Sequence, residues 1–116
     1  MELNQCDEPP EARMTLTAAA AALRDSSNPE YANLFTHGTL KVGFYRPAGV
    51  DRQRPHTQDE VYIVASGQGE FECAHTRRAF EPGEALFVPA GMEHHFENFS
   101  DDFAAWVVFY GPQGGE

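Results

Sequence analysis

From Tyr31 onward, the chain alternates short runs of β-branched and aromatic residues with glycine, proline and polar residues. Such runs predict β-strands, and about seven of them separated by frequent turn signals are typical of an antiparallel sandwich or barrel. The predicted strands are YANLFT, TLKVGFYR, EVYIVAS, GEFECA, ALFVP, HHFENF and FAAWVVFY. The pattern therefore predicts an all-β fold.

A different pattern precedes the strands. Residues 1–13 are polar, with two prolines and few large apolar side chains, so we expect an extended arm there. The next segment, TLTAAAAALRDSSNPE, is rich in helix formers and begins with a threonine that can cap a helix. It predicts one short helix of about three turns, with one face formed by Leu16, Ala20 and Leu23. We therefore divide the chain into an N-terminal arm and helix over residues 1–30 and a barrel over residues 31–116.

Two of the predicted strands are apolar on both faces. Alternate side chains of a strand point to opposite faces, so only one apolar set can fill the interior of a barrel. In EVYIVAS the opposing sets are Tyr62 and Val64 against Val61, Ile63 and Ala65; in FAAWVVFY they are Trp106 and Val108 against Phe103, Val107 and Phe109. Because the second set needs the helix, another layer or another subunit as cover, we expect a homodimer.

Charge and composition exclude several classes of partner. The 18 acidic residues outnumber the 8 basic ones and give a formal net charge of −10, which repels the phosphate backbone of nucleic acids. No apolar run is long enough to cross a membrane, and the first residues are acidic, unlike a secretory signal. We expect a cytoplasmic protein without nucleic-acid or membrane partners. Cys6 and Cys73 lack C-x-x-C spacing and are expected to be free thiols.

The segment GEALFVPAGMEHHFEN contains a specific pattern of turn and ligand residues. Gly83 is followed after five residues by Pro89, after one more by Gly91, after two more by His94 and after three more by Asn98. This is the full second motif of the cupin family, and the chain resembles that family here.

The first cupin motif is present in part. His56 is followed after three residues by Glu60 and after six more by Gly67, as in that family. Arg54 stands where the family has its first histidine, and the upstream glycine lies one position closer than in the family pattern. The resemblance covers residues 39–110.

The resemblance implies a small double-stranded β-helix, or jelly-roll, barrel that holds one divalent metal, in a family where dimers are common. The matching ligands in this chain are His56, Glu60 and His94. Two imidazoles and one carboxylate suit Zn, Fe, Mn, Ni or Co and leave coordination positions open. The alternative is that the three side chains hydrogen-bond one another around water.

The residues themselves agree with this placement. In one extended strand the Cα atoms of His56 and Glu60 would lie about 13 Å apart, too far to share an ion. Thr57, Gln58 and Asp59 are suitable turn residues, so we expect His56 to end one strand and Glu60 to begin the next. Alternation after the turn of the second motif should point His94 inward and His95 outward.

Other residues are candidates for the surroundings of the metal. Gln58 or Gln53 could supply a fourth ligand, and His37 could support the ligands from behind. Arg54 could point into the cavity and bind an anionic ligand, pair with a carboxylate, or be turned outward by Pro55. Aromatic residues that point to the same side of the sheet as the nearest metal ligand would line the cavity and contact a bound molecule. These are Phe44, Tyr62, Phe87, Phe96 and Trp106. The alternative is that these rings simply fill the barrel.

These residues favour a metal-dependent enzyme acting on a small molecule, with an anionic substrate as one option. The resemblance supplies the reaction classes, which are oxygenase-like or isomerase-like. The alternative is a binding module in which the barrel holds a sugar, an acid or another metabolite without turnover.

Overall fold

The computed structural model describes residues 13–116. Apart from Arg13, the predicted arm lies outside these residues, as does Cys6. The described part contains one helix and eight strands, which are α1 (Leu16–Asp25), β1 (Tyr31–His37), β2 (Leu40–Tyr45), β3 (Asp59–Ser66), β4 (Gly69–Cys73), β5 (Thr76–Phe80), β6 (Ala85–Val88), β7 (His94–Glu97) and β8 (Ala104–Tyr110).

The strands form two antiparallel sheets that enclose one interior. The larger sheet has the order β1-β2-β8-β3-β6, and the smaller has the order β5-β4-β7. This arrangement confirms the all-β, jelly-roll barrel with a short N-terminal helix. All seven predicted strands are present, and β5 is an additional one. Its sequence, TRRAF, has four exposed residues out of five, because it lies at the edge of the smaller sheet, where charged side chains are usual.

Aromatic side chains fill the space between the sheets. The ring of Phe96, from the smaller sheet, packs against Tyr62 of the larger sheet with ring centroids 4.9 Å apart. It also contacts Phe71 at 4.8 Å and Phe103 at 4.6 Å. Rings of this size bury much apolar surface and prefer such tilted arrangements. The inward face of the larger sheet is thus the one that carries Tyr62.

Helix α1 covers part of the outer face of the larger sheet. The Thr15 hydroxyl accepts a hydrogen bond from the Ala18 N–H and caps the helix, as predicted. The helix buries Ala19 and Leu23, whereas Leu16 is 53% exposed, so the predicted apolar face was wrong at its first residue. The buried cluster that the helix forms with the sheet comprises Ala19, Leu23, Ala32, Phe44 and Ala104. Helix and barrel therefore share a packed boundary, although the division at residues 30 and 31 stays a prediction.

Three of the five aromatics expected in the cavity lie on the outer face. Phe44 pairs with Trp106 across β2 and β8, and their rings pack 5.0 Å apart beneath the helix. Phe87 is 54% exposed and pairs with Val61, away from the interior. The prediction was wrong for these three because the inner face is set by cross-strand partners of Tyr62, namely Val107 and Leu86. Tyr62 and Phe96 do lie inside.

No helix within residues 13–116 is both long and apolar enough to cross a membrane.

Candidate metal centre

Three side chains with metal-binding atoms meet at one end of the barrel. Glu60 comes from β3 in the larger sheet, His94 from β7 in the smaller sheet, and His56 from the irregular segment between β2 and β3. One ligand atom from each lies within 4.8 Å of the others. The two motifs of the sequence are therefore brought together by the pairing of the two sheets over one interior.

The backbone around His56 explains how this convergence arises. A bend at Thr57 and Gln58 separates His56 from β3, as predicted, but His56 does not end a strand. Its carbonyl oxygen instead accepts a hydrogen bond of 2.7 Å from the Gly91 N–H in the turn of the second motif. The Asp59 carboxylate accepts a second bond of 2.8 Å, from the Ala90 N–H. These bonds fix the first motif against the second.

Glu60 has an unusual environment for a carboxyl group. Its exposed fraction is 0%, and among the described residues neither of its carboxylate oxygens has a hydrogen-bond partner. Its Oε1 lies 3.2 Å from Nε2 of His94 and 3.9 Å from Nε2 of His56. Burial raises the pKa of Glu60 to about 8. An ionised carboxylate in such a place costs free energy unless a cation compensates it.

The imidazole of His94 is held in the form that binds metal. The side chain of His94 is fully buried, and its Nδ1 lies 3.0 Å from the Met92 carbonyl oxygen. A proton on Nδ1 therefore leaves the lone pair of Nε2 directed toward Glu60. Burial lowers the pKa of His94, and burial together with the nearby His94 lowers the pKa of His56. Both rings are therefore neutral at pH 7.

This donor set fits a divalent ion of the first transition row. Metal–ligand bonds of about 2.1 Å place neighbouring ligand atoms roughly 3.0 to 3.4 Å apart in octahedral or tetrahedral geometry. The separation of 3.2 Å between Glu60 and His94 falls in that range, and the 3.9 Å separation to His56 needs a small side-chain movement. The buried, unpartnered carboxyl of Glu60 is the feature that such an ion would satisfy.

Gln53 and Tyr62 place two further polar atoms beside the three ligands. The Tyr62 hydroxyl lies 2.9 Å from Nε2 of His94 and donates to Oε1 of Gln53 at 2.6 Å. The same oxygen of Gln53 lies 3.3 Å from Nε2 of His56. Of the two glutamines considered from the sequence, Gln53 is therefore the one whose amide oxygen faces the site.

Asp51 holds Gln53 in this orientation. It is buried, and its carboxylate accepts hydrogen bonds from Nε2 of Gln53 at 2.9 Å and from the Gln53 N–H at 3.0 Å. It accepts two more from the Tyr45 hydroxyl at 2.6 Å and the Phe96 N–H at 2.8 Å. Asp51 could not be predicted from the sequence, because a single acidic residue in a loop gives no pattern that indicates such a role.

Three other candidates lie elsewhere. Gln58 is buried, but its amide nitrogen donates to the carbonyl oxygens of Thr39 and Gly111, at 3.0 and 2.9 Å, which directs that nitrogen to the backbone. His37 is exposed at the end of β1 and does not belong to the cluster of ligands. Arg54 is exposed and is not part of the cavity wall, so the outward orientation is the one observed.

A cavity of about 480 Å³ opens beside His56. Its wall comprises Asn28, Tyr31, Asn33, Lys41, Tyr45, Gln53, His56, Thr57, Gln58, Val107 and Phe109. Neither Tyr62 nor Phe96 belongs to this wall, although both are inside the barrel. Lys41 and Tyr31 were missed by the sequence analysis. A signal for Lys41 was present in the sequence. Lys41, Gly43 and Tyr45 are spaced two residues apart, and this spacing places all three on one face of β2.

Gly43 makes room for a ring of the cavity wall. A Cβ atom added at this position would overlap the hydroxyl and ring of Tyr31. Only glycine therefore lets Tyr31 lie flat across the inward face of β2 in this position.

Comparison with known proteins identifies relatives of the whole fold. A curated, uncharacterized protein of Streptomyces coelicolor is 35% identical over 94 residues, which cover 79% of this chain and 90% of the relative. A structure from Rhizobium leguminosarum, of unknown function, has a TM-score of 0.68 and 21% identity, and the match covers 86% of this chain and 97% of that one. Similarity at that level of identity shows the fold alone.

A third relative has a named activity. The structure of the DMSP lyase DddQ from Ruegeria pomeroyi has a TM-score of 0.60 and 27% identity, with 70% of this chain covered. The match covers 46% of the lyase, so this chain spans about half the length of that protein.

A protein-family model described as the cupin domain matches residues 42–110, which is more than half of the chain and includes His56, Glu60 and His94. With the motifs, the two facing sheets and the Streptomyces relative, this match establishes that the chain belongs to the cupin family.

Proposed function

We propose that this cupin is a metal-dependent enzyme for a small molecule and that His56, Glu60 and His94 hold its divalent ion. The observation that carries the proposal is the carboxyl of Glu60, which is buried without a hydrogen-bond partner and lies between two neutral imidazoles. A buried carboxyl beside two neutral imidazoles is costly without a cation and favourable with one.

The chemistry follows from the residues around the ion. When bound, a divalent ion would polarise an oxygen atom of the substrate. Burial, followed by the nearby Glu60, raises the pKa of Tyr62 well above its usual value, so this hydroxyl keeps its proton at neutral pH. Gln53 orients the hydroxyl from one side while His94 lies on the other. Tyr62 can therefore donate a hydrogen bond to a substrate oxygen beside the metal position by turning from Gln53.

A neutral hydroxyl held beside the metal position favours polar chemistry at a substrate oxygen, which is isomerase-like or lyase-like, ahead of oxygenase-like chemistry. The likeness to a DMSP lyase is consistent with this preference. The specific reaction is not needed for the first test, because metal binding can be measured directly.

The alternative function is a binding module without turnover. The observation that favours it is the amide oxygen of Gln53, which lies 3.3 Å from His56 and can occupy a fourth coordination position. A site closed in this way would have fewer positions available for a substrate.

Elemental analysis of the purified and metal-reconstituted protein tests the proposal. We expect about one divalent ion per chain in the wild type and a loss of at least tenfold in affinity in His94→Ala and Glu60→Gln, because the first removes a ligand atom and the second replaces a carboxylate with a weaker, neutral amide ligand. His95→Ala and His37→Ala are matched controls, since they remove imidazoles that lie outside the cluster of ligands. Both controls should keep the full metal content.

The outcomes separate the two functions as well as the site. Wild-type protein that takes up no divalent ion, or ligand variants that bind as well as the controls, would contradict the metal site. In the cobalt-loaded protein, added azide should change the visible absorption spectrum if a coordination position is open. An unchanged spectrum would favour the binding module with Gln53 as ligand.

A further inference from the structure

The cavity beside His56 contains a charged side chain that the proposed metal centre does not use. Lys41 is a cation on the cavity wall, and within residues 13–116 the wall includes no aspartate or glutamate. This is unexpected on composition alone, because acidic residues outnumber basic ones by 18 to 8 over the chain. Lys41 is thus the one side chain with a fixed charge among the described residues of the wall, and the carboxyl groups of Asp51 and Glu60 lie behind Gln53 and His56.

Lys41 lies a short way along the wall from the metal ligands. It is paired with Phe109 across β2 and β8, and directly opposite residues in antiparallel strands are about 5 Å apart. The ring of Phe109 in turn packs edge-on against His56, with ring centroids 4.9 Å apart. Phe109 thus forms an apolar strip between Lys41 at one end and His56 at the other.

The ammonium group of Lys41 is available to a ligand. Within residues 13–116, Lys41 forms no salt bridge with any carboxylate. The hydroxyl of Tyr31 lies over Gly43, which is the next inward-facing residue of β2 after Lys41. A cationic donor and a neutral O–H donor therefore both belong to this part of the cavity wall, and both can donate to a carboxylate.

We infer that the ligand of this cavity is a small carboxylate whose anionic group binds Lys41 and Tyr31, with an apolar middle over Phe109 and Val107 and its other end toward His56. This inference deepens the proposed function and rests on it for the orientation of the ligand. It also replaces the cation expected from the sequence, because Arg54 lies outside the cavity wall and Lys41 lies within it.

Binding of 3-phenylpropionate and of its neutral amide tests the inference. Titration calorimetry would be run at low salt on zinc-loaded protein and on protein freed of metal by a chelator. We expect the wild type to bind the acid about tenfold more tightly than the amide, since a charge-assisted hydrogen bond is lost with the amide. In Lys41→Met the preference should fall below about twofold, and Lys41→Arg should retain it.

Arg54→Met is the matched control, since it removes the same charge from an exposed side chain outside the cavity. It should leave the preference for the acid unchanged. The inference is overturned if Lys41→Met keeps the wild-type preference, if Arg54→Met loses as much of it, or if the wild type binds no acid up to the solubility limit of the probe.

The metal-free titrations distinguish this failure from failure of the metal site. If the protein binds no zinc but still prefers the acid to the amide, the role of Lys41 is supported and the metal centre is contradicted. Stoichiometric zinc binding without any preference for the acid would contradict the role of Lys41 and leave the metal centre intact.

Discussion

At the residue scale, the ionisation of Glu60 links the metal site to the stability of the fold. The carboxyl is buried in the folded protein and solvated in the unfolded one, so its pKa is about 8 in the first state against 4.5 as the ordinary value. Between these two pH values the folded metal-free protein holds a proton that the unfolded chain has released. Rising pH therefore destabilises the metal-free fold.

The predicted pH dependence is clearest above pH 6.5. The lowered pKa values of His56 and His94 act in the opposite direction, but only below the ordinary histidine value of 6.5. From there to about pH 8, the free energy of unfolding of the chelated protein should fall by up to about 1.4 kcal/mol per pH unit, the value of one proton per unit. Urea denaturation at several pH values measures this slope.

Glu60→Gln is the control for that slope, because glutamine has the shape of the carboxyl but does not titrate. Its unfolding free energy should stay nearly flat from pH 6.5 to 8. If the unfolding free energy of the wild type is equally independent of pH in that range, Glu60 is ionised in the metal-free fold. Saturating zinc should also remove the slope in the wild type, since the metal-bound carboxylate carries no proton.

The sequence identified the metal-binding candidates more readily than the residues that support them. His56, Glu60 and His94 have fixed spacing within two motifs, and the structure brings them together. The roles of Asp51 and of Lys41, which is exposed and lines the cavity, depend on which loop and which strand face each other. Arg54 shows the converse, since it occupies a motif position and yet is exposed and outside the cavity wall.

At the scale of elements, β2 and β1 shape the cavity through Gly43 and Tyr31. In Gly43→Ala the new methyl group overlaps the Tyr31 ring, which must swing into the cavity or away from it. We expect affinity for 3-phenylpropionate to fall about tenfold or more, as is usual when a wall residue is displaced by an ångström. Zinc stoichiometry should not change, because no ligand lies on β2.

Tyr31→Phe provides the comparison for that variant. It keeps the ring in place and removes only the hydroxyl, so it should lower the affinity for 3-phenylpropionate less than Gly43→Ala does. Equal acid affinity in Gly43→Ala and wild type, measured by calorimetry, would mean that Tyr31 has no part in binding.

Strand positions were predicted better than strand faces. Each apolar run in the sequence became a strand, since β-branched and aromatic residues suit a half-buried pleat. Alternation divides each strand into two sets of side chains but does not say which set is inside. In β8, where both sets are apolar, only the pairing of Trp106 with Ile63 and of Val107 with Tyr62 decides the matter. Phe44, Phe87 and Trp106 were misplaced for this reason.

At the scale of the whole molecule, the outer face of the larger sheet is only partly covered. Helix α1 lies over β1 and β2, whereas Ile63 and Phe87, on β3 and β6, are 39% and 54% exposed. Val61 lies opposite Phe87 in the same patch. We propose that a second copy of this chain packs there, since strands that are apolar on both faces are the reason a homodimer was expected.

Light scattering at micromolar concentration tests the dimer. The wild type should have about twice the mass of the 12.9 kDa chain, and Phe87→Asp should have the mass of one chain, because a buried carboxylate would oppose association. Leu16→Asp, at an exposed apolar position on the helix, is the control and should remain dimeric. A monomeric wild type rules out this assembly.

The origin of the three ligands has a mechanical consequence for the fold. Glu60 belongs to one sheet and His94 to the other, 34 positions later in the chain (94 − 60). An ion held by both would connect the two sheets in the folded protein and stabilise the fold by its binding free energy, because the unfolded chain has no preformed site. Substitutions deep in the aromatic interior, such as Phe71→Ala, should then weaken metal affinity without touching a ligand, because they alter the spacing of the sheets that the ion has to bridge. A measured change in metal affinity would then report a change in how the side chains of the barrel interior pack.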